Sequence, residues 1–174
     1  MNRWAALAPL VVLALIVVAG VVLLMRPGER PTFSAGLIGQ PAPAYALPRL
    51  GEGEPVTAAD HPPGAYVINL FASWCVPCRA EHDQLLAMRT GGVPIVGVAY
   101  KDAPDDAARF LQELGDPYLV VALDRDGAFG LDMGATGVPE TYVIGADGRV
   151  RAVHRGPLTG EIINREILPA LRAR

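Results

Sequence analysis

The apolar positions of this chain form one long unbroken block, followed by short runs set between turn residues. From Trp4 to Met25 no charged residue appears, and most positions are Val, Leu, Ala or Ile. At 1.5 Å per residue such a block is about one helical bilayer span. It is longer than the roughly 7–15 apolar residues of a secretory signal, and no small-x-small cleavage site follows it convincingly. The pattern predicts a short tail over residues 1–3 and an uncleaved transmembrane anchor over residues 4–25. Residues 26–38 carry Pro, Gly, Ser and charges and read as a tether. Residues 39–174 are then left to fold as one domain.

Within that domain the periodicity switches repeatedly. The prolines of residues 39–48 restrict their predecessors to extended geometry, giving a lead-in. Tyr66 to Phe71 is a continuous apolar run, the signature of a strand buried on both faces. Arg79 to Met88 has helical composition and ends at Gly91-Gly92. Ile95 to Tyr100 is the next buried strand. Pro104, with Asp105 and Asp106 behind it, opens a helix whose apolar face is Phe110, Leu111 and Leu114, and Gly115 closes it. Tyr118 to Leu123 predicts a third strand, ending in the turn Asp124 to Gly127, and Phe129 to Met133 a short helix. Thr141 to Ile144 and Val150 to Arg155 form a hairpin through Ala146-Asp147-Gly148. Thr159 caps a last helix with Ile163, Ile167 and Leu171 on one face, which Pro169 must bend or interrupt. Strands alternating with helices, then a terminal hairpin and helix, predict an α/β layered domain around a mixed sheet.

Charge changes this picture little. Fifteen basic against eighteen acidic residues give a formal charge of −3, and no basic stripe marks a nucleic-acid surface. Arg3 before the apolar block and Arg26 and Arg30 after it nearly balance, so charge does not orient the anchor. His61, His82 and His154 are scattered and are expected to be surface or hydrogen-bonded residues. Asp124-Arg125-Asp126-Gly127 lacks the ligand series of a calcium loop. No metal and no cofactor is expected.

Cysteine usage is the informative feature. The only two cysteines are Cys75 and Cys78, in Trp74-Cys75-Val76-Pro77-Cys78. A structural zinc site wants four ligands, and two thiols supply half. A disulfide between positions three apart closes almost no loop and adds little stability. A reversible dithiol remains. Cys75 follows a strand and opens a helix, where free N–H groups and the helix dipole favour thiolate. Pro77 suits a first turn, because no intrahelical bond needs its N–H. Cys78 lies one turn on, on the same face. The expectation is an accessible, attacking Cys75 and a resolving Cys78. Such chemistry belongs outside a reduced cytoplasm, which places the domain on the outer side of the membrane.

The segments Gly39 to Pro43, Asn69 to His82, Tyr100-Lys101-Asp102 and Gly137 to Thr141 resemble the thioredoxin superfamily, and its membrane-anchored DsbE/CcmG branch in particular. The resemblance implies a thioredoxin-like three-layer fold with a mixed central sheet and flanking helices, with an insertion near Pro104 to Leu123, behind one N-terminal transmembrane helix. It implies reduction of the haem-attachment disulfide of apocytochrome c, or of a partner thiol in that pathway, in the periplasm of a bacterium with the chain held in the inner membrane. Electrons would come from a membrane thiol transporter. Pro139 matches the cis-proline that faces the dithiol, and Val138 would then offer its backbone to an extended peptide. Glu81 and Glu140 match acids that lie close to the dithiol and tune its pKa or relay a proton. Asn69 stands where general thioredoxins carry a buried aspartate, which moves that duty to the two glutamates. Trp74, Val76 and Pro77 border the site. A copper metallochaperone using Cys75, Cys78 and His154 is the alternative of another class, and a general extracytoplasmic thiol reductase is a third reading.

Overall fold

A computed structural model of the chain describes residues 12, 13, 15–19, 36–61 and 63–173. The chain divides into two units, Met1–Thr32 and Phe33–Arg174. In the first, residues 12, 13 and 15–19 are helical and expose their apolar side chains. The remainder of the expected anchor lies outside the described residues. No helix among the described residues is long and apolar enough to cross a membrane.

The second unit is built on a five-stranded sheet. A small two-stranded ribbon, β1 (Ala46–Leu47) with β2 (Val56–Thr57), comes before it. β3 (Tyr66–Phe71), the helix α1 (Val76–Thr90), β4 (Ile95–Tyr100), α2 (Pro104–Leu114) and β5 (Val120–Asp124) follow. The short α3 (Ala128–Asp132) leads to the hairpin β6 (Glu140–Ile144) and β7 (Val150–Arg155). The chain ends in α4 (Gly160–Ile162), a π-helical stretch (Ile163–Ile167) and α5 (Leu168–Arg172). Spatial order in the sheet is β5-β4-β3-β6-β7. β3, β4 and β5 run parallel, whereas β6 lies antiparallel to both β3 and β7. The mixed α/β sheet is therefore present as the sequence predicts.

Each face of the sheet has its own core. On one side Val67, Phe71, Cys75, Cys78, Leu85, Phe110, Val143 and Ile167 pack together under α1, α2 and the C-terminal helix. On the other, Ile68, Leu70, Val96, Val98, Phe129, Tyr142 and Ile144 form the second core. Leu37 packs against this second core, two positions before the start at Gly39 that the sequence suggested. The full burial of β3 explains why no alternation marks it: both faces are covered, so every position is apolar except Asn69.

Element boundaries follow the local chemistry. α1 begins at Val76, ahead of the helical composition that starts at Arg79 and in keeping with Cys75 opening the helix: Cys75 is the cap, and its sulfur accepts from the Cys78 N–H at 3.1 Å. The third strand begins at Val120, two residues late, while the Tyr118 ring covers Gly97 instead of extending the ladder. Just ahead of Pro169 the α-helical pattern is interrupted by the π-helical stretch, as the proline led one to expect. The Leu168 N–H reaches back to the Ile163 carbonyl, a five-residue step, and this wider turn accommodates a proline that has no N–H to give.

Candidate active site

β3 ends at Phe71 and the chain turns once before α1. The Cys75 N–H donates to the Ala72 carbonyl at 3.2 Å, so Ser73 and Trp74 are the central residues of that turn. Cys75 and Cys78 form a disulfide with sulfurs 2.06 Å apart and Cα atoms 5.3 Å apart. Pro77 sits in the first helical turn, where no carbonyl waits for its N–H. The helix N-terminus and the Cys78 N–H aimed at the Cys75 sulfur both favour negative charge on that atom once the bond opens.

Exposure departs from expectation. Cys75 is only 4% exposed and Cys78 1%, so neither sulfur projects into solvent in the oxidised form. The approach is bordered instead by Trp74 and Val76, 59% and 79% exposed. On the facing side the Val138–Pro139 peptide bond is cis, as the resemblance implied. β6 starts immediately after Pro139 and runs antiparallel to β3, with Leu70 opposite Glu140. The end of β3 and the beginning of β6 therefore lie at the same edge of the sheet, and the dithiol and Val138-Pro139 share it.

The two glutamates separate. Glu81, one turn beyond Cys78, is fully buried. Its carboxylate accepts from the Asn69 side-chain amide at 2.9 Å and from the Leu158 N–H at 2.7 Å. Burial pushes its pKa up to about 7, and the two hydrogen bonds only partly oppose this. Asn69 also donates to the Thr141 hydroxyl at 3.1 Å and accepts from the Tyr118 hydroxyl at 2.8 Å. Tyr118 is buried against Phe71, and desolvation raises its pKa, with the nearby Glu81 charge adding to the effect. Glu81, Asn69, Thr141 and Tyr118 thus form one buried polar group beneath α1.

Glu140 is placed elsewhere. Opposite Leu70 it faces the second core, on the side of the sheet away from α1. Its carboxylate accepts from the Thr136 N–H and hydroxyl at 2.8 and 2.7 Å and from the Tyr142 hydroxyl at 2.5 Å, and Arg155 lies 3.3 Å away. The two glutamates that the sequence grouped therefore lie on opposite faces of the sheet: strand alternation sends Thr141 toward the helix and Glu140 away from it.

The histidines are engaged. His82 is buried, with its Nε2 2.8 Å from the Gly115 carbonyl and its ring edge-on to Phe110. His154 Nδ1 is 3.2 Å from Glu166, and His61 bonds the Tyr45 hydroxyl. Among the described residues no three His, Cys, Asp or Glu side chains converge as a metal site.

Sequence reasoning assigned no role to Asp102. It is buried; its Oδ2 accepts from the Ser73 N–H at 2.6 Å and its Oδ1 from the Ser73 hydroxyl at 2.8 Å. The Tyr100-Lys101-Asp102 segment was the available signal, a polar pair ending a buried strand.

Four similarities bear on this arrangement. The Redoxin family matches residues 37–168. The chain is 41% identical to the thiol:disulfide interchange protein HelX of Rhodobacter capsulatus, covering 94% of this chain and 96% of that one. It is 37% identical to the thiol:disulfide interchange protein DsbE of Escherichia coli, over 97% and 94% of the two chains. A crystal structure of a putative DsbE from Chlorobium tepidum superposes with a TM-score of 0.64 at 29% identity, covering 77% of this chain and 97% of that one.

Proposed function

We propose, from the premise that the chain belongs to the Redoxin family and is a thiol–disulfide oxidoreductase of the DsbE/CcmG type, that Cys75 attacks and Cys78 resolves in the reduction of disulfides in extracytoplasmic proteins. The observation that carries this reading is the Cys75–Cys78 disulfide closed at the first turn of α1, with the Cys78 N–H on the Cys75 sulfur. In the reduced protein the Cys75 thiolate attacks one sulfur of the partner disulfide, and the partner's other sulfur leaves as thiolate. Cys78 then gives up its proton, attacks Cys75 and releases the second partner thiol, so one disulfide is lost by the partner and one is gained here. Glu81 stands one turn behind Cys78 with a pKa near neutrality. It is the group suited to take the Cys78 proton, directly or through water.

The partner binds as an extended segment between Trp74 and Val76 on one side and Val138-Pro139 on the other, pairing with the Val138 backbone. The resemblance to cytochrome c maturation proteins makes the haem-attachment disulfide of apocytochrome c, or a thiol protein of that pathway, the preferred partner. A membrane thiol transporter supplies electrons. Residues 4–25 hold the chain in the inner membrane with the domain in the periplasm. The test is a Cys78→Ser variant in whole cells, which should accumulate a mixed disulfide with its partner that mass spectrometry identifies. Absence of any Cys75-linked protein would overturn the assignment. Capture of proteins unrelated to haem attachment would keep the chemistry and replace the substrate.

A further inference from the structure

We propose that Lys101 and Asp102 are positioning residues for thiol exchange: they hold the Ser73–Trp74 turn so that Trp74 stands as a fixed platform for the partner beside Cys75. This rests on the reading of Trp74 as a partner contact and Cys75 as nucleophile.

The turn that delivers Cys75 has two central residues, and each is held from the connection after β4. Ser73 gives both its donors to Asp102, the N–H at 2.6 Å and the hydroxyl at 2.8 Å. The Trp74 indole N–H donates to the Lys101 carbonyl at 3.2 Å. Trp74 is otherwise 59% exposed, so this single bond decides where a large aromatic face points. An exposed indole without such a tie samples several rotamers, and ordering it on partner binding weakens binding.

The template is itself anchored. Lys101 has φ of 49°, the only positive value among described non-glycine residues, and a conformation that is unfavourable for its side chain. Its N–H is taken by the Asp124 carbonyl at 2.8 Å. Its stem lies so close to Gly127 that a Cβ there would sit 2.2 Å from the Lys101 Cε. The Asp102 carboxylate also accepts from its neighbour's Ala103 N–H at 2.9 Å, which fixes the carboxylate plane. The left-handed Lys101 turns its carbonyl toward Trp74 while the next residue reaches Ser73. One strained residue serves both contacts.

The test uses the full-length chain with Trp4→Phe, so that Trp74 is the only indole. A synthetic peptide closed by a Cys-x-x-Cys disulfide serves as probe, in single turnovers of the reduced protein. Asp102→Asn places an amide against the Ser73 or Ala103 N–H. It should raise the half-saturating peptide concentration about fivefold, equivalent to roughly 1 kcal/mol, with the maximal rate within about twofold. Trp74 fluorescence anisotropy should fall in parallel. Ser73→Ala, which removes one bond and no charge, should move both in the same direction and serves if Asp102→Asn does not fold. Trp74→Ala should raise half-saturation equally, and adding Asp102→Asn to it should change nothing further. An unchanged half-saturation and anisotropy with a lowered melting temperature would make Asp102 merely structural and overturn the proposal, as would fully additive effects. A wild-type chain that leaves the peptide oxidised, or an inert Trp74→Ala, defeats the underlying reading instead.

Discussion

The Asn69 amide and the Glu81 carboxylate meet 2.9 Å apart, one in the central strand of the sheet and the other on the helix that carries both cysteines. Asn69 can offer this carboxylate a donor but no charge. Burial therefore dominates, and Glu81 titrates near pH 7 rather than near 4.5. Because its pKa is higher folded than unfolded, the native state binds the extra proton between those two values. Stability is then greatest below pH 4.5 as far as this group is concerned, falls as pH rises to 7, and stays reduced above it. The integrated loss is about 3 kcal/mol. Urea unfolding of the oxidised protein at pH 5 and pH 8 should show it, and Glu81→Gln should flatten the difference. An equal pH dependence in the variant would locate the titrating group elsewhere.

The sheet separates the two glutamates, and their variants should differ in the same way. Glu81→Gln removes a carboxylate one helical turn from Cys78 and should lower the thiolate pKa values of the reduced dithiol. Glu140→Gln, on the opposite face and already occupied by Thr136, Tyr142 and Arg155, should leave them in place while costing stability. Thiolate absorbance against pH in the two variants checks this. A shift in Glu140→Gln as large as in Glu81→Gln would mean both acids act on the sulfurs.

Tyr118 serves the network with its hydroxyl and the core with its ring. Tyr118→Phe keeps the ring on Phe71 and leaves the Asn69 carbonyl oxygen unpaired, a cost of about 1–3 kcal/mol. Gly97→Ala should cost at least as much, because its Cβ would lie 2.7 Å from two Tyr118 ring carbons held in a packed core. Denaturant midpoints of both variants, with unchanged m-values, are the measurement.

Asp124 ends β5 with a fully buried carboxylate that accepts from the Phe129 and Gly130 N–H groups at 3.1 and 2.8 Å. Asp124→Ala strands both donors and should destabilise by about 2 kcal/mol. Asp124→Asn, which retains one acceptor, should recover part of that. Thermal unfolding of the pair distinguishes capping from the plain turn role that sequence alone suggested.

What could be read in advance was local. The Tyr66 to Phe71 and Ile95 to Tyr100 runs and the Pro104–Gly115 punctuation mark their elements to the residue, because burial on both faces and backbone restriction leave direct traces. The dithiol was legible for the same reason: two cysteines one turn apart need no distant partner to be recognised. What escaped depends on residues far along the chain. Glu81 looks like an ordinary helical acid until Leu158, 77 positions later, closes over it. Glu140 looks like a neighbour of the cysteines until the pairing of Leu70 with Glu140 fixes which way it faces. The first turn of α1 was legible too, although a cysteine stands where Ser, Thr, Asp or Asn usually cap, because Pro77 suits only a first turn.

β6 lies alongside β3 head to tail, and this has an architectural consequence. The sulfur-bearing turn and the cis-proline turn are neighbours by strand register alone, with the intervening α1, β4, α2, β5 and α3 looping away and returning. Exposed connections of that excursion other than the Lys101-Asp102 link are consequently free to lengthen, shorten or acquire new surface while the two halves of the reactive edge stay joined. The domain thus has a place to vary whom it meets without altering how it exchanges electrons.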